Sequence, residues 1–195
     1  MNTLVKGTLI SGVVVLGASA FAVPAFAQSG NGYMRGKASA QSNLASSPAT
    51  TSLSTDEQQT LVYMIEEEKL AHDIYAKLYE KWGLNIFNNI SNSETKHQSL
   101  LTTAASHYLV ANPASSEAGV FNNQDLQKLY NDLLAKGLSS KQAALEVGKT
   151  IEEHDIADLQ QAINQSSSSY LDSVYATLLH GSQNHLNAFN RQLNR

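Results

Sequence analysis

The sequence predicts an all-α fold: a four-helix bundle with one long crossover that carries an extra short helix. Three observations predict it. From Leu53 onward apolar residues recur at alternating steps of three and four, the period of a helix buried on one face. Alternating β-branched runs between tight turns, the signal of strands, are nearly absent. Two of the expected connections are short turns and the middle one is long, so each short-linked pair should be antiparallel and the pairs joined by a crossover.

The first helix begins in "STDEQQTLVYMIEEEKLAHDIYAKLYEKWG", with Ser54 or Thr55 as its cap, acidic Asp56 and Glu57 at its positive end, and Gly83 as its stop. Its apolar stripe can be drawn as Leu61-Ile65-Glu68-His72-Tyr75-Tyr79 or as Leu61-Met64-Glu68-Ala71-Tyr75-Leu78, and Glu68 lies in both. The second helix has the stripe Phe87, Ile90, Glu94, His97, Leu101, Ala104, Tyr108. "VANPASSEAGVFN" is a loop, and "NQDLQKLYNDLLAKG" a short helix ending at Gly137. "SSKQAALEVGKTIEEHDIADLQQAIN" starts at a serine cap and has the seam Leu145, Gly148, Glu152, Asp155, Leu159, Ala162. After the polar turn "QSSSS", the last helix has the seam Leu171, Tyr175, Leu178, Ser182, His185, Phe189.

Ahead of these helices the chain reads differently. Residues 1–27 combine one basic residue (Lys6), an apolar run and the small-x-small site "AFA", the pattern of a secretory signal peptide cut between Ala27 and Gln28. Residues 28–54 are rich in Ser, Ala, Gly, Asn and Thr and poor in large apolar side chains, the composition of a flexible linker. The domain is expected over 55–195. Export to the periplasm, cell envelope or medium follows from the signal. Loss of Lys6 moves the net charge from −4 to −5, a balance that argues against nucleic acid as a partner, and no later segment is apolar enough to span a membrane. There is no cysteine, so stability rests on packing and, where one binds, on a metal rather than on disulfides.

Each long helix places a carboxylate or an imidazole in the middle of its apolar face. Read singly, each is ordinary. A Glu-x-x-His pair such as Glu94 and His97 most often faces solvent, "EEEK" around Glu68 and "EEHD" around Glu152 look like solvated charge runs, and a lone His185 is most often a core or surface residue. Together they ask for a shared partner, because an unpaired buried carboxylate is strongly unfavourable. A cation satisfies all of them. Oxygen and nitrogen donors without thiolates suit iron, manganese or zinc. The candidate ligands are Glu68, Glu94, His97, Glu152, Asp155 and His185. Tyr75, Ser182 and His72 are candidate supports around them, and the ordinary role for Tyr75 is a core aromatic with a hydrogen-bonded hydroxyl. The helix turns place His97 level with Glu68, and Glu94 nearer the turn.

The strings "EEEKLAHDIY", "SETKH", "EEHDIADL" and "GSQNHLNAF", in this order, resemble a bacterial and archaeal ferritin-like family classed as a domain of unknown function, over roughly Thr55 to the C-terminus. More distantly, Glu68, Ala71 and Tyr75 are similar to the first-helix pattern of bacterioferritin and rubrerythrin, and Glu94-x-x-His97 to their second-helix motif. The resemblance implies a di-iron carboxylate site in which two helices give one glutamate each and two give Glu-x-x-His. Glu68 and Glu152 would be the single glutamates, and Glu94 with His97 the first pair. The second pair departs, with Ser182 where glutamate is expected before His185. Asp155 is the residue placed to replace it; otherwise the site holds one ion, or a second one weakly. The expected protein is an exported metal binder taking one or two iron ions, with Mn or Zn also suited, and Fe(II) oxidation by O2 or peroxide as its chemistry. A monomer or dimer is expected rather than a cage. The competing reading is a non-catalytic bundle with a structural metal or a hydrogen-bonded polar layer, acting as an envelope interaction protein.

Overall fold

Residues 52–195 are described by a computed structural model. The expected signal peptide, and the expected linker up to residue 51, lie outside the described residues. Five helices follow in order: α1 (Thr55–Trp82), α2 (Asn85–His107), α3 (Gln124–Gly137), α4 (Lys141–Gln165) and α5 (Ser169–Leu193). No strand forms among the described residues. The helices α1 and α2 pack as one pair and α4 and α5 as another, with α1 against α4 and α2 against α5 closing a four-sided bundle. The short α3, carried by the crossover, covers α1 and α4, as the sequence predicts.

Local chemistry sets the helix ends. Ser54 is the cap of α1, in a reciprocal capping box with Glu57. Gly83 ends α1 in the left-handed conformation at φ +64°, and its N–H bonds back to the Tyr79 carbonyl at 2.8 Å. Ser140 and Ser168 cap α4 and α5. Leu53, just ahead of the Ser54 cap, is buried with Leu61, Ile65 and Leu171.

Glu57 does more than cap. Its Oε2 accepts from the Ser54 N–H at 2.8 Å, while its Oε1 accepts from the N–H and hydroxyl of Ser167 at 2.7 and 2.9 Å. It thereby ties the start of α1 to the α4–α5 turn. The Ser167 backbone bond, together with the Ser54 and Ser167 groups and against a cost of burial, lowers its carboxyl from the ordinary 4.5 to about 2. A depressed carboxylate stabilises the fold above its unfolded value, and that stability drains as pH falls toward the folded value. Glu57→Gln should therefore cost about 2 kcal/mol at neutral pH. The gap to wild type should be intact above pH 4.5 and close as pH falls toward about 2, as read by urea melts across that range.

The core is divided. One apolar cluster, with Tyr75, Leu78, Phe87, Ile90 and Phe189, fills the end at the α1–α2 turn. A second, with Leu61, Met64, Leu101, Leu159, Tyr175 and Leu178, fills the end at the α4–α5 turn. Between them lies a layer of buried polar side chains from all four long helices.

Candidate metal centre

That layer contains Glu68 from α1, Glu94 and His97 from α2, Glu152 and Asp155 from α4, and Ser182 and His185 from α5. Glu68, Glu94 and Glu152 are each 2% exposed. Of the six side chains named from the sequence as candidate ligands, five come together in ligand groups and Asp155 belongs to neither group, although it is buried in the same layer.

Glu94 stands at the centre. Its Oε2 is 2.8 Å from His97 Nδ1, and its Oε1 is 3.0 Å from His185 Nδ1. On the far sides, His97 Nδ1 is 3.3 Å from Glu68 Oε2, and His185 Nδ1 is 3.4 Å from Glu152 Oε2. Two triads result, Glu68–Glu94–His97 and Glu94–Glu152–His185, each offering three ligand atoms within 4.8 Å of one another and able to hold a metal ion. The two imidazole rings stack with centroids 5.5 Å apart. Glu94 is the residue common to both triads.

Several of these atoms are close without bonding. Glu94 Oε1 and His185 Nδ1, 3.0 Å apart, are not aligned for a hydrogen bond with each other, and neither has another partner. Glu68 Oε1 and Asp155 Oδ1 are likewise buried and unpartnered. Buried polar atoms left this way are unfavourable unless something occupies the space they face. Their donor chemistry fits a hard or borderline cation.

Charge follows the same pattern. Burial drives Glu68 far above the carboxylate range, as do Asp155 and Glu94, and His97 offsets only part of it. Burial also raises Glu152, against the pull of His185, and Asp155, against its bond from Ser182. For Glu94 burial opposes ionisation, but His185 and His97 prevail and hold it low. Burial disfavours charge on His97, yet Glu68 and Glu94 raise it to about 11; His185 is raised to about 9 by Glu152 and Glu94. Without a cation the layer is held together by protons, which a metal must displace.

The supporting residues sort unequally. Tyr75, fully buried, donates to Glu152 Oε1 at 2.6 Å and lies 3.3 Å from the Gly148 carbonyl. Ser182 directs its hydroxyl at Asp155 Oδ2, with the Leu178 carbonyl also at 3.0 Å. Asp155 on α4 therefore reaches the place on α5 where Ser182 supplies no carboxylate. His72 stands apart from both triads: its Nδ1 meets Asp73 Oδ1 at 2.9 Å, and its side chain is partly exposed.

Sequence reasoning missed Gly181. A Cβ there would lie 2.5 Å from His97 Nε2, so α5 approaches the imidazole with no room for a side chain. The signal available was a glycine inside a strongly periodic helix, one residue before a seam position. Gly181→Ala should push His97 off Glu68 and Glu94. Metal affinity at the first triad should fall about 10–100-fold while the second is retained, as read by calorimetric titration.

The region around the centre has relatives. A family described as an uncharacterized protein domain (DUF2202) matches residues 57–195. The uncharacterized protein MJ0754 of Methanocaldococcus jannaschii is 43% identical over 143 residues, which span 73% of this chain and 77% of that protein. The crystal structure of the hypothetical protein MJ0754 from Methanococcus jannaschii matches with a TM-score of 0.72 at 43% identity, covering 73% of this chain and 82% of that one.

Proposed function

The chain belongs to the DUF2202 family, and for the region that the family spans we propose a ferritin-like metal protein whose bundle core binds two divalent cations, iron foremost, with Mn or Zn as alternatives. One observation carries the reading: each oxygen of Glu94 meets a different histidine, so a single carboxylate is shared by two triads. Charge supports it. Four carboxylates (Glu68, Glu94, Glu152, Asp155) with two neutral imidazoles balance two divalent ions. Glu68 and His97 would hold one ion, Glu152, His185 and Asp155 the other, with Glu94 between them.

Iron bound there would supply electrons for the reduction of O2 or peroxide. The residues of the chain set the conditions. Tyr75 fixes the orientation of Glu152, and Ser182 that of Asp155. The apolar clusters above and below keep bulk water from the layer. Among the described residues no helix is long and apolar enough to cross a membrane. Export remains part of the proposal, on the signal-peptide pattern of residues 1–27.

The test is the metal content of purified protein, followed by anaerobic Fe(II) titration and exposure to O2. Two ions per chain, with oxidation on exposure, are expected. No uptake, with melting indifferent to a chelator, would sink the reading. Uptake without oxidation would leave a structural metal in an envelope interaction protein.

A further inference from the structure

The six residues of the centre do not account for every buried carboxyl in the layer. Glu67 follows Glu68 directly, so the helix turns its side chain about 100° away. It is 5% exposed, its carboxyl is pushed up by burial and by the neighbouring charges of Asp155 and Asp158, and its Oε2 has no partner. Asp158 sits one turn beyond Asp155 on α4, half-buried, and accepts from the Tyr63 hydroxyl at 3.3 Å. Tyr63 and Asp158 line an open groove of about 350 Å³ between α1 and α4, whose other walls include Gln59 and Gln161.

These groups form a series. Asp158 lines the groove, Glu67 lies one turn beyond the groove-lining Tyr63 on α1, and Asp155 one turn before Asp158 on α4; Glu67 feels the charge of both aspartates, and Asp155 that of Asp158. Asp155 in turn has one unpartnered oxygen, while its other accepts from Ser182, on the helix that carries His185. A leucine at position 67 would bury against α4 with no desolvation penalty, whereas a carboxyl with one oxygen left bare is unfavourable unless something binds it. Neither Glu67 nor Asp158 is needed to balance two ions at the centre. Together they match the charge of one more.

We infer that Glu67 and Asp158 form a third, weaker cation site at the inner end of the α1–α4 groove, from which a divalent metal passes to the buried centre by way of Asp155. The inference rests on the two-cation reading of that centre. Two carboxylates, with water from the groove completing the shell, bind loosely enough to release an ion inward. The Tyr63 hydroxyl holds Asp158 in place while the ion exchanges.

Cobalt(II) is the probe, because its visible absorption distinguishes ions held by imidazole and carboxylate from hydrated ones. Stopped-flow mixing reads the loading rate, and equilibrium dialysis the stoichiometry, for wild type, Glu67→Gln and Asp158→Asn. Wild type should take up two tight ions and one weak one. Both variants should keep the two tight ions with an unchanged spectrum, lose the weak one, and load about tenfold more slowly, as expected when a charged funnel is neutralised. Variants that load at the wild-type rate, or that retain the third ion, would overturn the inference while leaving the centre intact. A wild type with no tightly held cobalt would instead overturn the two-cation reading, and this inference with it. Should Glu67→Gln fail to fold, as judged by thermal melting, the half-exposed Asp158→Asn decides the matter alone.

Discussion

Glu94→Gln should empty the centre of both ions at once. The amide keeps the size of the side chain but not its charge, and both Nδ1 atoms face this one group. By contrast, Glu68→Gln and Glu152→Gln each touch one triad and should each lose one ion. Metal analysis of the three variants reads the difference directly. A second readout comes from the metal-free protein. Glu94 is held ionised between two histidines whose protonation it supports, so its removal leaves buried imidazolium groups without their shared anion. Breaking a buried pair in this way costs about 3–5 kcal/mol. Glu68 is driven toward its neutral form chiefly by burial, so the neutral amide should cost only about 1 kcal/mol there. If Glu94→Gln kept one tightly bound ion, the triads would be independent and the sharing of Glu94 would be incidental.

The helices were legible because their causes are local. Ser54, Ser140 and Gly83 act on the turns beside them, and the three-and-four spacing of apolar residues marks each seam. The central layer was legible for the opposite reason, since Glu68, Glu94, His97, Glu152, Asp155 and His185 interrupt those seams. The run "EEEK" misled. It reads as a solvated patch, yet Glu66, Glu67, Glu68 and Lys69 are all buried. A periodic pattern assumes one buried face, whereas α1 is covered by α2, α4, α3 and the crossover loop. Glu66 accepts from the N–H groups of Asn122 and Asn123 at 2.6 and 3.0 Å, and Lys69 donates to the Glu117 carbonyl at 3.0 Å. Asp73 accepts from the Gly119 N–H at 2.8 Å. Those partners lie on a distant loop whose own sequence gives no sign of where it docks. The need for Gly181 is equally non-local, because it is set by a histidine on another helix.

Ser182 and Asp155 can be made to exchange roles. Ser182 is 1% exposed and already points at Asp155, so Ser182→Glu alone places a fifth carboxylate in a filled core. Overpacking and like charge should destabilise the protein by about 2–4 kcal/mol. Asp155→Ala alone removes the carboxylate that, on the proposed reading, α4 supplies in place of one from α5. The affinity for the second ion should drop about 10–100-fold, while the Ser182 hydroxyl keeps its bond to the Leu178 carbonyl. The double variant Asp155→Ala/Ser182→Glu moves the carboxylate across the interface, adds volume on one side where it removes it on the other, and keeps the number of acids in the layer unchanged. It should regain the second ion and lie within about 1 kcal/mol of wild type, a coupling that a double-mutant cycle measures as strong and opposite in sign to the single losses. A double variant no better than its parents would mean that Asp155 serves the Ser182 hydroxyl alone. A rescued one would mean that the missing glutamate of α5 was never lost as a ligand, but supplied from the neighbouring helix.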